Sequence, residues 1–360
     1  MVLTAIAIII ALFFAMNIGA SGAAATMGPV YGSGAIKNKR LVLCLVGLGA
    51  MLGAVIGSGQ VIKTVGEGII PTSILTVEIV LVILIAATLT LFIANVIGIP
   101  LSTSEVTIGS IVGVGIAFQA LYVNNVLIIV SFWLIIPLVA FGIAFVAGKV
   151  ISVMERRWPH LKGKGKWKTY LGILMIATGF FEAFSAGMNN VANAIGPLIG
   201  ASLIGETAGI WLGAIFLALG AIFLGGRVLE TNGKKITSLS LLQGTAVSGT
   251  GASLVVIASI FGIPVPLTQA TTSAIVGIGT AENGFELWQK TVIKKIIKVW
   301  IVSPVMSLVV SYSLIHMILN PNPYIIVIVI SIFVTTFGSI SLYQSIKEEK
   351  RSVHDEGGGI

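Results

Sequence analysis

The chain has 360 residues, 56% of them hydrophobic and only 9% charged, with a mean hydropathy of +1.06, which excludes a soluble globular protein, a disordered regulator and a collagen-like fibre. A single cysteine, Cys44, excludes an internal disulfide framework. The net charge of +8 is gathered in a few short loops, which is the pattern of membrane topology signals and not of a nucleic-acid-binding face. Apolar runs long enough for a bilayer core of about 30 Å recur along nearly the whole chain. Alternating barrel segments of about 10 residues are absent. The expectation is therefore an all-α, polytopic helical membrane protein. In chain order the expected spans are 2–36 (broken), 41–61, 73–98, 103–120, 126–148, 169–203 (broken), 207–226, 238–262, 268–281, 292–318 and 324–345, or about eleven crossings. No Lys or Arg precedes the first apolar run, so it is read as a mature helix and not a signal peptide.

Loop charge sets the expected orientation. The connection 149–168 carries Lys149, Arg156, Arg157, Lys162, Lys164, Lys166 and Lys168, and short basic loops stay in the cytoplasm. Counting spans from it puts the N-terminus outside and the C-terminus inside a plasma membrane. Lys63 is the one small exception.

Sliding the chain on itself by about 165 residues brings three stretches into register. The run from Gly98-Ile99-Pro100 to Gly115 aligns with that from Gly262-Ile263-Pro264 to Gly279. Gly53-Ala54, Gly59 and Gly66 match Gly220-Ala221, Gly226 and Gly233, and Gly19 to Gly28 matches Gly187 to Gly196. An odd number of crossings between equivalent points turns the second half upside down. The expected organisation is a first half over 1–148, the basic loop 149–168, a second half over 169–318, an additional span over 319–345 and a polar tail over 346–360. Inverted repeats with broken or re-entrant helices at their centre are an architecture of secondary transporters, with the substrate at mid-membrane between the interrupted segments.

Two such segments are expected in each half. The first pair is Asn17 to Pro29 and Gly187 to Pro197, the second containing Asn189, Asn190 and Asn193. Amides are costly in lipid unless they face a cavity or another backbone, whereas the glycines and alanines serve close helix approach. The second pair is Pro100-Leu101-Ser102-Thr103-Ser104-Glu105 and Pro264-Val265-Pro266-Leu267-Thr268-Gln269, followed by Thr271. Proline and hydroxyls before an apolar run predict a helix opening inside the membrane, whose N-terminus favours anions. The candidate anion-binding groups are Ser21, Gly22, Ala23, Ser102, Thr103, Ser104, Asn189, Asn190, Asn193, Thr268, Gln269 and Thr271. Together they form a neutral, donor-rich cage.

These residues resemble the inorganic phosphate transporter family, whose halves each carry a Gly-Ala-Asn-Asp-Val-Ala-Asn-like and a Pro-Val-Ser-Thr-Thr-like signature. The departures place the chain nearer the family's CysP-type sulfate permease branch. The family's Asn-Asp and later Asn are Ser21, Gly22 and Ala25 here, and the second Asp is Asn190. Sulfate, fully deprotonated near neutral pH, only accepts hydrogen bonds, so removing both carboxylates removes a repulsion. The resemblance thus implies a secondary carrier importing sulfate. Loss of hard anionic oxygens favours proton over sodium coupling, with Glu105 the leading proton carrier and Glu78 and Glu182 the alternatives. No cofactor or metal is implied. The oligomeric state is open, a homodimer included.

Three other readings fit the same residues. Phosphate remains an alternative substrate. An anion channel would use the same helix termini. Gly19-Ala20-Ser21-Gly22 also matches an intramembrane serine protease pattern with His316 as base, but the repeat places Asn189 at the position of Ser21 and speaks against an enzyme.

Overall fold

A computed structural model describes residues 1–97, 101–163, 165–233, 239–284 and 291–325, together with 327, 328 and 331. The expected span 324–345 falls almost wholly outside these, as do the tail 346–360, Pro100, Lys234 and Lys235. Among the described residues there are eleven α-helices: α1 Val2–Gly32, α2 Lys39–Gly57, α3 Gly59–Glu67, α4 Val77–Ile97, α5 Thr103–Ala117, α6 Val123–Arg157, α7 Lys166–Gly200, α8 Glu206–Gly233, α9 Leu241–Ile260, α10 Leu267–Asn283 and α11 Thr291–Leu314. Eight of the eleven are long and apolar enough to cross a membrane, namely all but α3, α5 and α10.

Two pairs of helices form hairpins. The backbone N–H of Tyr122 donates to the Ile69 carbonyl at 2.9 Å and the Asn125 amide donates to the Gly68 carbonyl at 2.8 Å. The end of α5 therefore lies beside the short connection from which α4 starts. At the other end of the molecule, the Ser240 hydroxyl donates to Glu155 at 2.6 Å and the Gln243 amide to Glu282 at 2.5 Å, gathering the start of α9 and the ends of α10 and α6. Because α6 runs from the first end to the second, the hairpins α4/α5 and α9/α10 enter from opposite ends. The expected spans 103–120 and 268–281 are thus return arms of 15 and 17 residues. At 1.5 Å per residue they are about 22 and 25 Å long, short of the bilayer core.

The helix pairing is equally two-fold. α1 packs on α8 as α7 packs on α2, α4 on α1 as α9 on α7, and α5 on α11 as α10 on α6. The α1/α8 crossing brings Gly19 against the Leu217 carbonyl and Gly220 against that of Met16; the α2/α7 crossing brings Gly53 against Phe184 and Gly187 against Ala50. A β-carbon at any of these four would sit inside the facing carbonyl. Such contact substitutes for hydrophobic driving force, which lipid does not supply between helices.

These crossings also explain a departure from expectation. The breaks expected in 2–36 and 169–203 are absent: α1 and α7 run unbroken for 31 and 35 residues, with Pro29 and Pro197 near their C-terminal ends. A low-dielectric surround leaves backbone groups no partner but the helix itself, and the polar side chains follow suit. Asn17 donates to the Phe13 carbonyl, Ser21 to that of Ile18 and Thr26 to that of Gly22. Gly187→Ala is accordingly expected to force α2 and α7 apart at an overpacking cost of about 1–3 kcal/mol or more, read as a lowered thermal midpoint in detergent. An unchanged midpoint would remove the role assigned to this crossing.

Candidate functional site

The two hairpin tips meet on α7. Ser102 caps α5 as expected, in extended backbone with its hydroxyl accepting from the Glu105 N–H at 3.4 Å. α10 differs: its N-cap is Pro266, without a side-chain cap, and Thr268 falls in its first turn. Gly262, with φ +71, makes the preceding turn, which places the Ile263 and Val265 backbone against Asn189.

Asn189 is saturated by that tip. Its oxygen accepts from the Val265 N–H at 3.1 Å and the Ser104 hydroxyl at 3.4 Å. Its amide donates to the Ser259 hydroxyl at 2.9 Å and the Ile263 carbonyl at 3.1 Å. An amide has two donors and two acceptor positions, so none remains for a ligand. The Trp133 indole fixes the same tip through the Pro264 carbonyl at 3.0 Å. Asn190 and Asn193 hold the other tip: Thr103 donates to the Asn190 oxygen at 3.2 Å, and the Asn193 amide lies 3.2 Å from the Ser104 hydroxyl and 3.4 Å from that of Thr103. The Asn193 oxygen is buried and has no partner.

Glu105 and Gln269, which occupy matching positions of the repeat, bond to each other across the tips, and the second Glu105 oxygen accepts from Ser303 on α11. Thr271 pairs with Glu182 on α7 at 2.5 Å. Glu78 is not part of this centre. It lies exposed in the first turn of α4.

The centre is open on one flank. Along the core face of α1, Ala7, Ala11, Phe14 and Ile18 are buried, but Ser21, Gly22, Ala25 and Pro29, which continue that face, are half-buried. A β-carbon on Gly22 would meet nothing within 4 Å. Thr268 and Thr272 on α10 are half-buried too, whereas the matching Ser104 and Ile108 on α5 are buried. Ala23 is buried and packs against Gly225 of α8, outside this recess. Further along the same face of α1, Pro29 lies beside Gly244 near the start of α9. That is the end carrying the basic connection 149–168.

Among the described residues no group of three or more His, Cys, Asp or Glu side chains is placed to hold a metal. Ser21 donates to its own helix, and His316, in the π-helical turn Ile315–Leu319 after α11, pairs with the Asn320 carbonyl and the Tyr312 ring. The two do not bond. Ser259, Ser303 and Trp133 belong to the centre although nothing in the sequence singled them out. Each is a single residue in an apolar run.

A bundle in which two opposed helical hairpins bring hydroxyl and amide groups together on a through-going helix defines a membrane transport protein. The chain belongs to the phosphate transporter family, whose family model matches residues 18–311. It is 54% identical over 354 residues to the sulfate permease CysP of Bacillus subtilis, covering 98% of this chain and 99% of that one. It is 30% identical to a putative phosphate permease of Pyrococcus abyssi over 84% of this chain and 95% of that relative. Among solved structures it resembles the sodium-dependent phosphate transporter with a TM-score of 0.79 and 25% identity, over 89% of this chain and 100% of that one.

Proposed function

We propose that this protein is a secondary carrier that imports sulfate across the plasma membrane by proton symport, with its two halves inverted and its N-terminus outside. The observation that carries the substrate is the pair Gly22 and Asn190: at the two positions where family signatures have a carboxylate, this chain has a glycine without a side chain and a neutral amide. Sulfate brings two full charges and no hydrogen, so it is held by donors and repelled by carboxylates. The anion sits between Ser21, Gly22 and Ala25 on α1, Asn190 and Asn193 on α7, and the N-terminal turns of α5 and α10. Full-length similarity to a sulfate permease supports the same reading. In this arrangement Asn189 is a positioning residue for the α9/α10 tip. The basic end is the cytoplasmic one, and the recess facing it is the release path. The proton is carried by a buried glutamate of the centre, Glu105 or Glu182.

The test is uptake of labelled sulfate into proteoliposomes at several pH values, with and without sodium, against unlabelled competitors. Excess sulfate is expected to abolish the signal and equal phosphate to lower it by less than about two-fold. An acidic outside should drive accumulation that a protonophore collapses. Equal competition by phosphate would move the chain to the phosphate reading, and purely downhill flux would make it a channel.

A further inference from the structure

Glu182 lies on α7 two helical turns before Asn189 and is fully buried, so it does not line the half-buried face of α1. The Thr271 hydroxyl of α10 lies 2.5 Å from its Oε1 and also 3.1 Å from the Leu267 carbonyl. Glu182 Oε2 and the buried Ser248 hydroxyl of α9 face each other without a hydrogen bond of normal geometry, and neither has another partner. A threonine hydroxyl has one hydrogen. It cannot donate to both oxygens, so the two contacts are satisfied together only when Glu182 supplies the second hydrogen: Glu182 donates to Thr271 Oγ1, and Thr271 donates to Leu267. Glu105 is the contrast. Both of its oxygens receive donors, from Gln269 and Ser303, which suits an ionised carboxylate.

Among the described residues no countercharge is placed on Glu182: Glu78 starts α4, and His160 and Lys162 lie in the turn Pro159–Lys162 before α7 begins. Among its packing partners α1 and α9 carry no charged residue. α10 carries only Glu282, at its far end on Gln243, and α5 only Glu105. Lys39 and Arg40 lie in the first turn of α2, and α3 carries Lys63 and Glu67. Glu206, Arg227 and Glu230 lie toward the ends of α8.

We propose that Glu182, relayed by Thr271, is a proton-binding site of the carrier, set at the seam between α7 and the α9/α10 hairpin and separate from the anion recess. This inference rests on the transport reading and assigns its proton. When the proton leaves, Thr271 must turn its hydrogen from Leu267 to the carboxylate, and Glu182 Oε2 is left charged against the hairpin. Proton occupancy therefore acts on the mobility of one hairpin without touching the anion.

Two measurements on the full-length protein test this. Glu182→Gln keeps a donor toward Thr271 and is expected to exchange labelled for unlabelled sulfate within about three-fold of the wild-type rate, while pH-driven accumulation falls at least 20-fold. Accumulation equal to wild type, or loss of both activities in a folded, monodisperse variant, would overturn the assignment. Independently of transport, the infrared carbonyl stretch of a protonated carboxylic acid is expected in the wild type, absent in Glu182→Gln and retained in Glu105→Gln. Loss of that band in Glu105→Gln overturns the site even if Glu182→Gln does not fold. A wild type that shows the band but moves no sulfate would instead remove the substrate reading and leave the proton site standing.

Discussion

Asn190→Asp is expected to lower sulfate uptake at least about 100-fold while leaving the fold unchanged. The two side chains are isosteric, and the Asn190 oxygen already accepts from Thr103 at 3.2 Å, a bond an aspartate keeps. What changes is charge. A carboxylate about 4 Å from a dianion costs about 8 kcal/mol at an effective dielectric constant of 20, and a third of that already amounts to two decades of affinity. Asn190→Ala loses one polar group but adds no repulsion, so its expected loss is only about tenfold. The check is the concentration dependence of labelled sulfate uptake for the two variants, with a thermal melt to confirm the fold. An aspartate variant that transports like the alanine variant would place the anion away from Asn190. The same substitution restores the acidic residue of the family signature, so phosphate should compete better in it than in the wild type.

The membrane fold was legible because a hydrophobic periodicity of this strength has few other outcomes, and the close helix crossings were legible because they tolerate only glycine. Gly19, Gly53, Gly187 and Gly220 are the residues that carry the second signal, and they pack as two equivalent pairs. The same glycines misled on continuity. A glycine against a facing carbonyl is held helical by its neighbour, so α1 and α7 run through where small residues suggested breaks. Hairpin topology was not readable either, since a return arm of 15 residues and a short span have the same composition. It takes the bond between Tyr122 and Ile69 to show which way α5 leads. Within the centre, residue type announced polarity but not role. Asn189, Asn190 and Asn193 look alike in the sequence, and only their partners separate a structural amide from one beside an open recess. Ser303 could not be foreseen, because its importance lies entirely in facing Glu105.

That distinction between amides gives the second large effect. Asn189→Leu is expected to lose uptake through loss of structure, and Asn193→Leu through loss of affinity. Leucine keeps the branching of asparagine with bulkier ends, so both variants carry a similar overpacking cost and differ in the polar groups left behind. At position 189, however, it strands the Val265 N–H, the Ile263 carbonyl and the Ser259 hydroxyl, all of which Asn189 now satisfies, while Ser104 keeps the Val265 carbonyl. Each buried polar group left unpaired costs about 1–3 kcal/mol, and rebinding to water is not available to a hairpin tip at mid-membrane. The expected total is several kcal/mol, enough to release the α9/α10 tip from α7. At position 193 the amide donates to the Thr103 and Ser104 hydroxyls, which keep acceptors of their own in Asn190 and the Val265 carbonyl, and the Asn193 oxygen has no partner to lose. Thermal melts in detergent, with and without sulfate, separate the cases. The Asn189 variant should melt well below the wild type in either condition. The Asn193 variant should melt near the wild type alone but lose most of the stabilisation that sulfate confers, which follows the logarithm of ligand concentration over Kd. If instead the Asn189 variant melted normally and only its response to sulfate were gone, Asn189 would be a ligand of the anion, and the tip would have to be held by Trp133 and the surrounding helices alone.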